Sequence, residues 1–528
     1  MKKIAFVTGG VVSSLGKGII ASSLGRLLID NNINVGMMKC DPYLNIDPGT
    51  MSPIEHGEVF VTVDGGETDL DIGHYERFLG KNLTKESSLT SGKIYQEVLD
   101  KERRGEYNGK TVQIVPHITN HIKEKIYKLA ENYDLLIVEV GGSIGDIESL
   151  AYIETIRQIK YELSDDAIVI HAGFVPLIKV SNELKTKPMQ RSVNLLRSLG
   201  VSPEILITRS EVELSEREVE KIGMFATVKK EYIFQCVDEK SIYKIPISLM
   251  KQNFPRKIAA LLNLNISSRD IKEKHYELIN FNEKLNNLES EVKIAIVGKY
   301  VSNADSYISI VESLKHAGIN NKIKIKYDLI NSRNYLVNSL KNYDGILVPG
   351  GFGNDGTIGK MEAIKFAREN NIPFLGICFG MQLAILEFAK NVCNLNVEHG
   401  ELQIDAEYKI IDIMEDMKDK IIGGTMRLGN YQCSIKNHTL AREIYGNKLI
   451  NERHRHRYEF NNKFTNDLKK EGMIISGIHP KTNLAEIIEL PKNDFFIGVQ
   501  FHPELSSKLT KPNKLIEAFI KAALKNKK

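Results

Sequence analysis

Two series of short apolar runs, separated by a polar stretch, constrain this chain more than any other feature. The first series is Ile4–Val7, Val35–Met38, Leu135–Val140, Ala167–His171 and Ile205–Ile207. Each run is flanked by Gly, Pro or Asp and set apart by longer amphipathic stretches, which reads as buried parallel strands alternating with helices. From about Asn265 to Glu291 the chain turns polar and rich in Lys, Glu and Asn. The strand grammar then restarts with Lys293–Gly298 and continues through Ile346–Pro349, Pro373–Ile377 and Ile497–Phe501. Two successive doubly wound α/β domains are the simplest account. The expected boundaries are 1–265 and 291–528, with 266–290 a partly helical linker.

The net charge of +4 over 528 residues is too small for a general nucleic-acid binder, although local basic pockets for anions remain open. No apolar run reaches the length of a membrane helix. The five cysteines are widely spaced and form no CxxC, which fits a reducing cytoplasm better than a disulfide framework or zinc site. The opening run from Met1 is broken by Thr8-Gly9-Gly10, so it reads as a strand rather than a signal peptide. The lysines of 521–528 read as a frayed, solvated helix end.

The first strand enters Gly9-Gly10-Val11-Val12-Ser13-Ser14-Leu15-Gly16-Lys17-Gly18-Ile19. A Gly-rich turn before a helix lets backbone N–H groups converge on phosphate, and Lys17 adds a full charge. The segment departs from G-x-x-x-x-G-K-[ST]: five residues separate Gly10 from Gly16, and Gly18 stands where a hydroxyl normally holds magnesium. A ligand-free glycine turn is the bland alternative. Glu139, at the end of an apolar run before Gly141-Gly142, and Asp71 supply carboxylates suited to a hard cation.

In the second series, Gly376-Ile377-Cys378-Phe379-Gly380 follows a strand and precedes a helical pattern. This is the cysteine form of the G-x-S-x-G elbow, with the sulfur at a helix N-terminus. Phe501-His502-Pro503-Glu504 offers a base and its orienter, two apart on one face of an extended segment. The N–H groups of Gly351, in Pro349–Gly353, and of Phe379 suit an oxyanion hole. The run Arg453–Arg457 by itself reads as a solvated charged strand.

Taken together, these segments resemble the CTP synthase family over essentially the whole chain. Further segments carry the resemblance: Lys39–Tyr43, Asp47–Thr62, Glu67–Phe78, Lys101–Gly105, Gly141–Leu150, Lys185–Pro188, Ser241–Pro246, Gly424–Gly429 and Glu452–Glu459. It weakens around Asn394–Lys420, around Lys463–Asn483 and in the linker. It implies a P-loop NTPase-like amidoligase domain followed by a class I glutamine amidotransferase domain of flavodoxin-like fold.

The resemblance also implies site residues. ATP would lie on Ser14, Leu15, Gly16, Lys17, Gly18 and Ile19, with Asp71 near its phosphates and Val237, Asp238 and Glu239 near adenine. Mg2+ would sit on Asp71 and Glu139. UTP, and the feedback inhibitor CTP, would contact Ser13, Asp146, Ile147 and Glu148. They would also meet Lys185, Thr186, Lys187, Pro188, Met189, Gln190 and Lys221, from a neighbouring subunit. Glutamine would contact Gly351, Phe379, Gly380, Met381, Gln382, Glu401 and Arg457, and Cys378, His502 and Glu504 would form the triad. GTP would activate the glutaminase, and a cytoplasmic homotetramer able to form filaments is expected, with no nucleic-acid or membrane partner. Because protonated ammonia is not a nucleophile, a sheltered route between the domains is expected as well. The nearest alternative is another ATP-dependent amidotransferase such as a cobyrinic acid amide synthetase. A non-catalytic scaffold is the alternative of a different class.

Overall fold

The computed structural model describes residues 2–10, 12, 15–266, 273, 275–413 and 426–527. Ser13, Ser14, Gly424 and Thr425, singled out above, lie outside the described residues. The chain divides into two compact units: residues 1–50 with 71–282, and residues 51–70 with 283–528.

In the first unit seven strands form one sheet: β1 (Ile4–Gly9), β2 (Val35–Asp41), β3 (Ser88–Thr90), β4 (Leu135–Val140), β5 (Ala167–Phe174), β6 (Ile205–Ser210) and β7 (Ile233–Val237). Their spatial order is β7-β6-β5-β1-β4-β2-β3. Every pairing is parallel. All six residues of β1 and of β4 are buried, which explains their unbroken apolar spelling: helices cover both faces, so neither side needs polar residues. The polar stretch after residue 265 contributes a helix, Tyr276–Asn286, whose Leu278 and Phe281 are buried.

The second unit holds a nine-stranded mixed sheet. Its strands are β8 (Ser290–Gly298), β9 (Ile323–Asn331), β10 (Gly345–Val348), β11 (Phe374–Ile377), β12 (Arg427–Ile435), β13 (Leu449–His456), β14 (Ile474–Ile478), β15 (Ala485–Glu489) and β16 (Phe496–Val499). The order is β9-β8-β10-β11-β16-β15-β14-β12-β13. The first five are parallel and make the doubly wound core; the remaining four extend it antiparallel.

Residues 51–70 cluster with the second unit. The reason is polar pairing: Glu67 takes Arg455 Nε at 2.8 Å, the Val61 carbonyl takes Arg453 Nη1 at 3.1 Å, and Glu58 accepts the Ser309 N–H at 2.6 Å. The run Arg453–Arg457 is not a solvated strand, because Arg453, His454 and His456 are all buried. Lys521, Lys525 and Lys527 are exposed, as expected of a solvated helix end, while the C-terminal helix Lys514–Asn526 holds to its last turn with Ala523 buried.

Candidate active sites

In the first unit β1 delivers the chain to the glycine-rich segment that follows Gly9. The Lys17–Ile29 helix starts after Gly16, whose φ of 76° is left-handed, and no side chain caps it. An uncapped N-terminus leaves backbone N–H groups available for an anion. Lys17 folds back across Gly9, where a Cβ would come within 2.6 Å of its Cδ, and its ammonium donates to the Gly142 carbonyl. Burial lowers the Lys17 pKa, opposed by Glu139 and reinforced by Lys39.

Asp71 opens the Leu70–Leu79 helix, and Glu139 lies near the end of β4, only 2% exposed. The Lys39 ammonium, from β2, lies 2.5 Å from Asp71, 3.1 Å from Glu139 and 3.9 Å from Asp41. Burial works to raise the Asp71 carboxyl, but Lys39 wins and holds it below its ordinary range. Tyr75 donates its hydroxyl to Glu139. Both carboxylates lean over Gly18, where a Cβ would lie 2.9 Å from Asp71 and 3.2 Å from Glu139. The position that lacks a hydroxyl in the loop is therefore where two carboxylates come together.

That donor set fits magnesium, a hard cation satisfied by one or two carboxylates plus phosphate and water. Among the described residues no three acidic, His or Cys side chains close a metal cage. Phosphate oxygens and water are thus needed to complete the shell.

The residues expected at the nucleotides are spread more widely. Val237 ends β7, and Asp238 beyond it pairs with Arg209 at 2.8 Å. Glu239 is exposed. Asp146 accepts the Ser143 N–H at 2.9 Å, and Ile147 beside it is 81% exposed, next to exposed Glu148. Lys185 and Lys221 both act on Glu183. Thr186 precedes the Lys187–Ser198 helix, where Pro188 presets the first turn and Gln190 donates to the Thr186 hydroxyl at 3.0 Å. The Met189 side chain is fully buried against Gly173 among apolar residues.

In the second unit β11 ends at Cys378, whose φ of 52° and ψ of −105° suit few non-glycine residues. The flanking glycines are forced, because a Cβ on Gly380 would lie 2.1 Å from the Val348 carbonyl oxygen and one on Gly376 2.9 Å from the Gly380 carbonyl. Phe379 opens the next helix, so its N–H has no intrahelical partner. Gly351, the other donor expected from the sequence, lies in the loop after β10.

His502 Nδ1 meets Glu504 Oε1 at 2.7 Å. The expected extended spacing is replaced by a Pro503–Ser506 3-10 turn, which still brings the carboxylate back under the ring. Gly350 lies against both side chains: a Cβ there would lie 3.1 Å from His502 Cε1 and 3.6 Å from Cys378 Cβ. His502 Nε2 is buried and makes no hydrogen bond among the described residues, which leaves it open for a thiol proton. The thiol instead faces the Arg455 carbonyl at 3.7 Å. Burial alone would lower His502, yet Glu504 and Cys378 hold its pKa well above the ordinary value.

Glu401 lies beside this site, accepting the Gly353 N–H at 2.7 Å and feeling Lys299 and Arg457. Burial raises its carboxyl. Two of the residues expected at glutamine turn their side chains away into the interior. Met381 is fully buried in the core, and the Gln382 amide is occupied by His399, Tyr458 and Gln500.

Sequence reasoning assigned no role to Lys39, Lys360 or Gln500. Lys39 stood in a quoted segment, and a lysine inside an otherwise apolar buried strand was the signal. Lys360 is 1% exposed, close to Gly351 and over the Phe379 ring at 5.2 Å. Burial pushes its pKa down to about 7, with Lys299 adding to the shift and Cys378 and Asp355 opposing it.

Comparison with known proteins places both halves. Residues 3–264 match the family described as CTP synthase N-terminus, and residues 303–522 match glutamine amidotransferase class-I. CTP synthases from Staphylococcus aureus strains NCTC 8325 and JH9 are each 51% identical over 534 residues, covering 99% of this chain and 99% of theirs. A solved Trypanosoma brucei CTPS glutaminase domain with bound acivicin is 34% identical, covers 45% of this chain and 95% of its own, and gives a TM-score of 0.43. The chain therefore belongs to the CTP synthase family, the glutamine-hydrolysing ligases, and carries both of the domains that define it.

Proposed function

We propose that this protein aminates UTP to CTP, using ATP in the first unit and ammonia released from glutamine in the second. The observation that carries this reading is a pairing within one chain. Lys17, Lys39, Asp71 and Glu139 converge at a phosphate loop, while the other unit sets Cys378 against His502 and Glu504.

The uracil C4 oxygen is a poor leaving group. Transfer of the ATP γ-phosphoryl group to that oxygen gives 4-phospho-UTP, and ammonia then displaces phosphate at C4. Lys17 and Lys39 counter negative charge as the phosphoryl group moves. Magnesium, when held by Asp71 and Glu139, supplies further charge neutralisation and orients the phosphates. In the second unit Cys378 attacks the glutamine amide carbon after its proton passes to His502, which Glu504 orients. The Gly351 and Phe379 N–H groups take the developing oxyanion; His502 returns the proton to the departing nitrogen. Water then hydrolyses the glutamyl thioester. Glu401 and Arg457 hold the two ends of glutamine.

The remaining assignments belong to the same proposal. Val237–Glu239 face adenine, and Asp146–Glu148 with Lys185–Gln190 and Lys221 contact UTP or inhibitory CTP. Ammonia reaches the synthetase sheltered from bulk water, GTP activates the glutaminase, and the enzyme works as a cytoplasmic homotetramer. The functional division falls at 1–265 and 291–528. The test is to mix the protein with UTP, ATP, Mg2+ and glutamine and follow nucleotides by chromatography. CTP and ADP should appear in equal amounts; ADP without CTP would overturn the reading.

A further inference from the structure

The polar side chains behind Cys378 form a chain whose direction is fixed at both ends. The Glu401 backbone N–H donates to His399 Nδ1 at 3.1 Å. A backbone amide can only donate, so Nδ1 carries no proton and Nε2 does. Nε2 lies 3.0 Å from Gln382 Oε1 and donates to it. The Gln382 amide nitrogen donates to the Tyr458 carbonyl at 2.8 Å and to Gln500 Oε1 at 3.1 Å. The Tyr458 carbonyl can only accept, which fixes which end of the Gln382 amide is nitrogen. Gln500 Nε2 is then left pointing at Cys378 Sγ, 3.7 Å away.

None of these side chains is solvated: His399 and Gln500 are fully buried and Gln382 is 3% exposed. Burial holds His399 down to about 3, so it stays neutral and keeps its tautomer at any working pH. The chain starts on Glu401, whose carboxylate takes the Gly353 N–H. The loop that faces substrate and the sulfur that attacks it are thus joined by one directed set of hydrogen bonds.

We propose that Gln500 is a catalytic residue of the glutaminase, its amide N–H stabilising the Cys378 thiolate, with His399 and Gln382 as positioning residues that aim it. The inference rests on the glutaminase reading given above. In the step concerned the S–H bond breaks, its proton goes to His502 Nε2 and the electron pair stays on sulfur, where the Gln500 N–H meets it. The other charged groups acting on the sulfur are His502, with Glu504 behind it, and Lys360. A purely structural Gln500 would tie its strand end to β15, through its backbone N–H to the Glu486 carbonyl at 2.9 Å, and accept from the Gln382 amide at 3.1 Å, with no call for its own N–H to face the sulfur.

Gln500→Met keeps the volume and removes the donor. It should lower kcat for glutamine hydrolysis about 10-fold, the scale of one hydrogen bond to a charged group, with KM within about twofold. It should also move the pH midpoint of Cys378 alkylation by iodoacetamide upward by about half a unit to one unit, read against a Cys378→Ala background. Gln500→Glu, which places an acceptor and a negative charge on the sulfur, should lose more. Ammonia-dependent CTP synthesis should be unchanged in both. An unmoved midpoint and kcat in Gln500→Met would overturn the proposal while Cys378→Ala still abolishes glutaminase. Persistence of glutaminase in Cys378→Ala would instead sink the underlying reading. If Gln500→Met also loses ammonia-dependent synthesis, His399→Asn carries the same two readouts, and an unmoved midpoint there overturns the proposal.

Discussion

The two sites solve opposite electrostatic problems. In the first unit Asp71 and Glu139 converge on the Lys39 ammonium, with Asp41 nearby, and Tyr75 also donates to Glu139. In the second unit the charges close upon one another: His502 with Glu504, and Arg427 with Glu459 at 2.8 Å and Glu486 at 2.9 Å. Burial pushes Glu459 up to about 8 and Glu486 up to about 7 despite Arg427, a sign of how dry this region is. Phosphoryl transfer needs positioning and neutralisation of charge brought by substrates, whereas thiol attack needs charge created inside a prepared pocket. The difference teaches that one chain can build both at the ends of parallel strands, the topological place where side chains meet ligands in such sheets.

The contrast can be broken by removing one member at a time. Lys17→Ala should have the largest effect, removing CTP formation from glutamine and from ammonia alike while glutamine hydrolysis continues. Near-normal ammonia-dependent turnover would refute its role. Glu504→Gln should lower glutaminase kcat about 10²–10⁴-fold, because His502 loses both its orientation and the charge that stabilises imidazolium. The same variant has a stability signature. A histidine raised in the fold contributes stability fully below about pH 6.5, lost as pH rises through its elevated folded value. Urea unfolding across pH should show that contribution in the parent and not in Glu504→Gln.

Smaller changes sharpen the comparison. Glu139→Gln should raise the Mg2+ concentration for half-maximal synthesis about 10-fold or more, measured by Mg2+ titration, and leave glutaminase intact. Lys360→Met should have the smallest effect. With a folded pKa of about 7 against 10.5 for a free lysine, Lys360 leaves the folded chain with fewer protons than the unfolded one between these values. Stability should therefore rise with pH across that window in the parent, and the substitution should flatten the rise. It should also add about 1–3 kcal/mol at neutral pH by removing a buried, unpaired ammonium.

What the sequence disclosed follows from these same physics. Strands buried on both faces are spelled in continuous apolar runs, so β1, β4 and β5 could be read directly. The Cys378 elbow was legible because glycines at 376 and 380 answer to backbone contacts within a few residues of the chain or on the adjacent strand. Pairing that links distant segments left no local trace. Residues 51–70 join the second unit through Glu67 to Arg455 and Val61 to Arg453, partners nearly four hundred positions away. Lys39 and Gln500 were hidden for a different reason: each is a single polar residue in a buried setting, and only its neighbours in space give it meaning. The four antiparallel strands that extend the second sheet were likewise unread, since charged residues such as Arg427 and Glu486 interrupt their apolar pattern and are neutralised across strands.

The central claim is a division of labour, and one substitution reaches it most directly. Cys378→Ala should be assayed for CTP formation twice, with UTP, ATP and Mg2+ held constant and either glutamine or an ammonium salt as nitrogen source. Synthesis from glutamine should vanish while synthesis from ammonia stays near that of the parent. Equal loss from both sources, or undiminished synthesis from glutamine, would contradict the account.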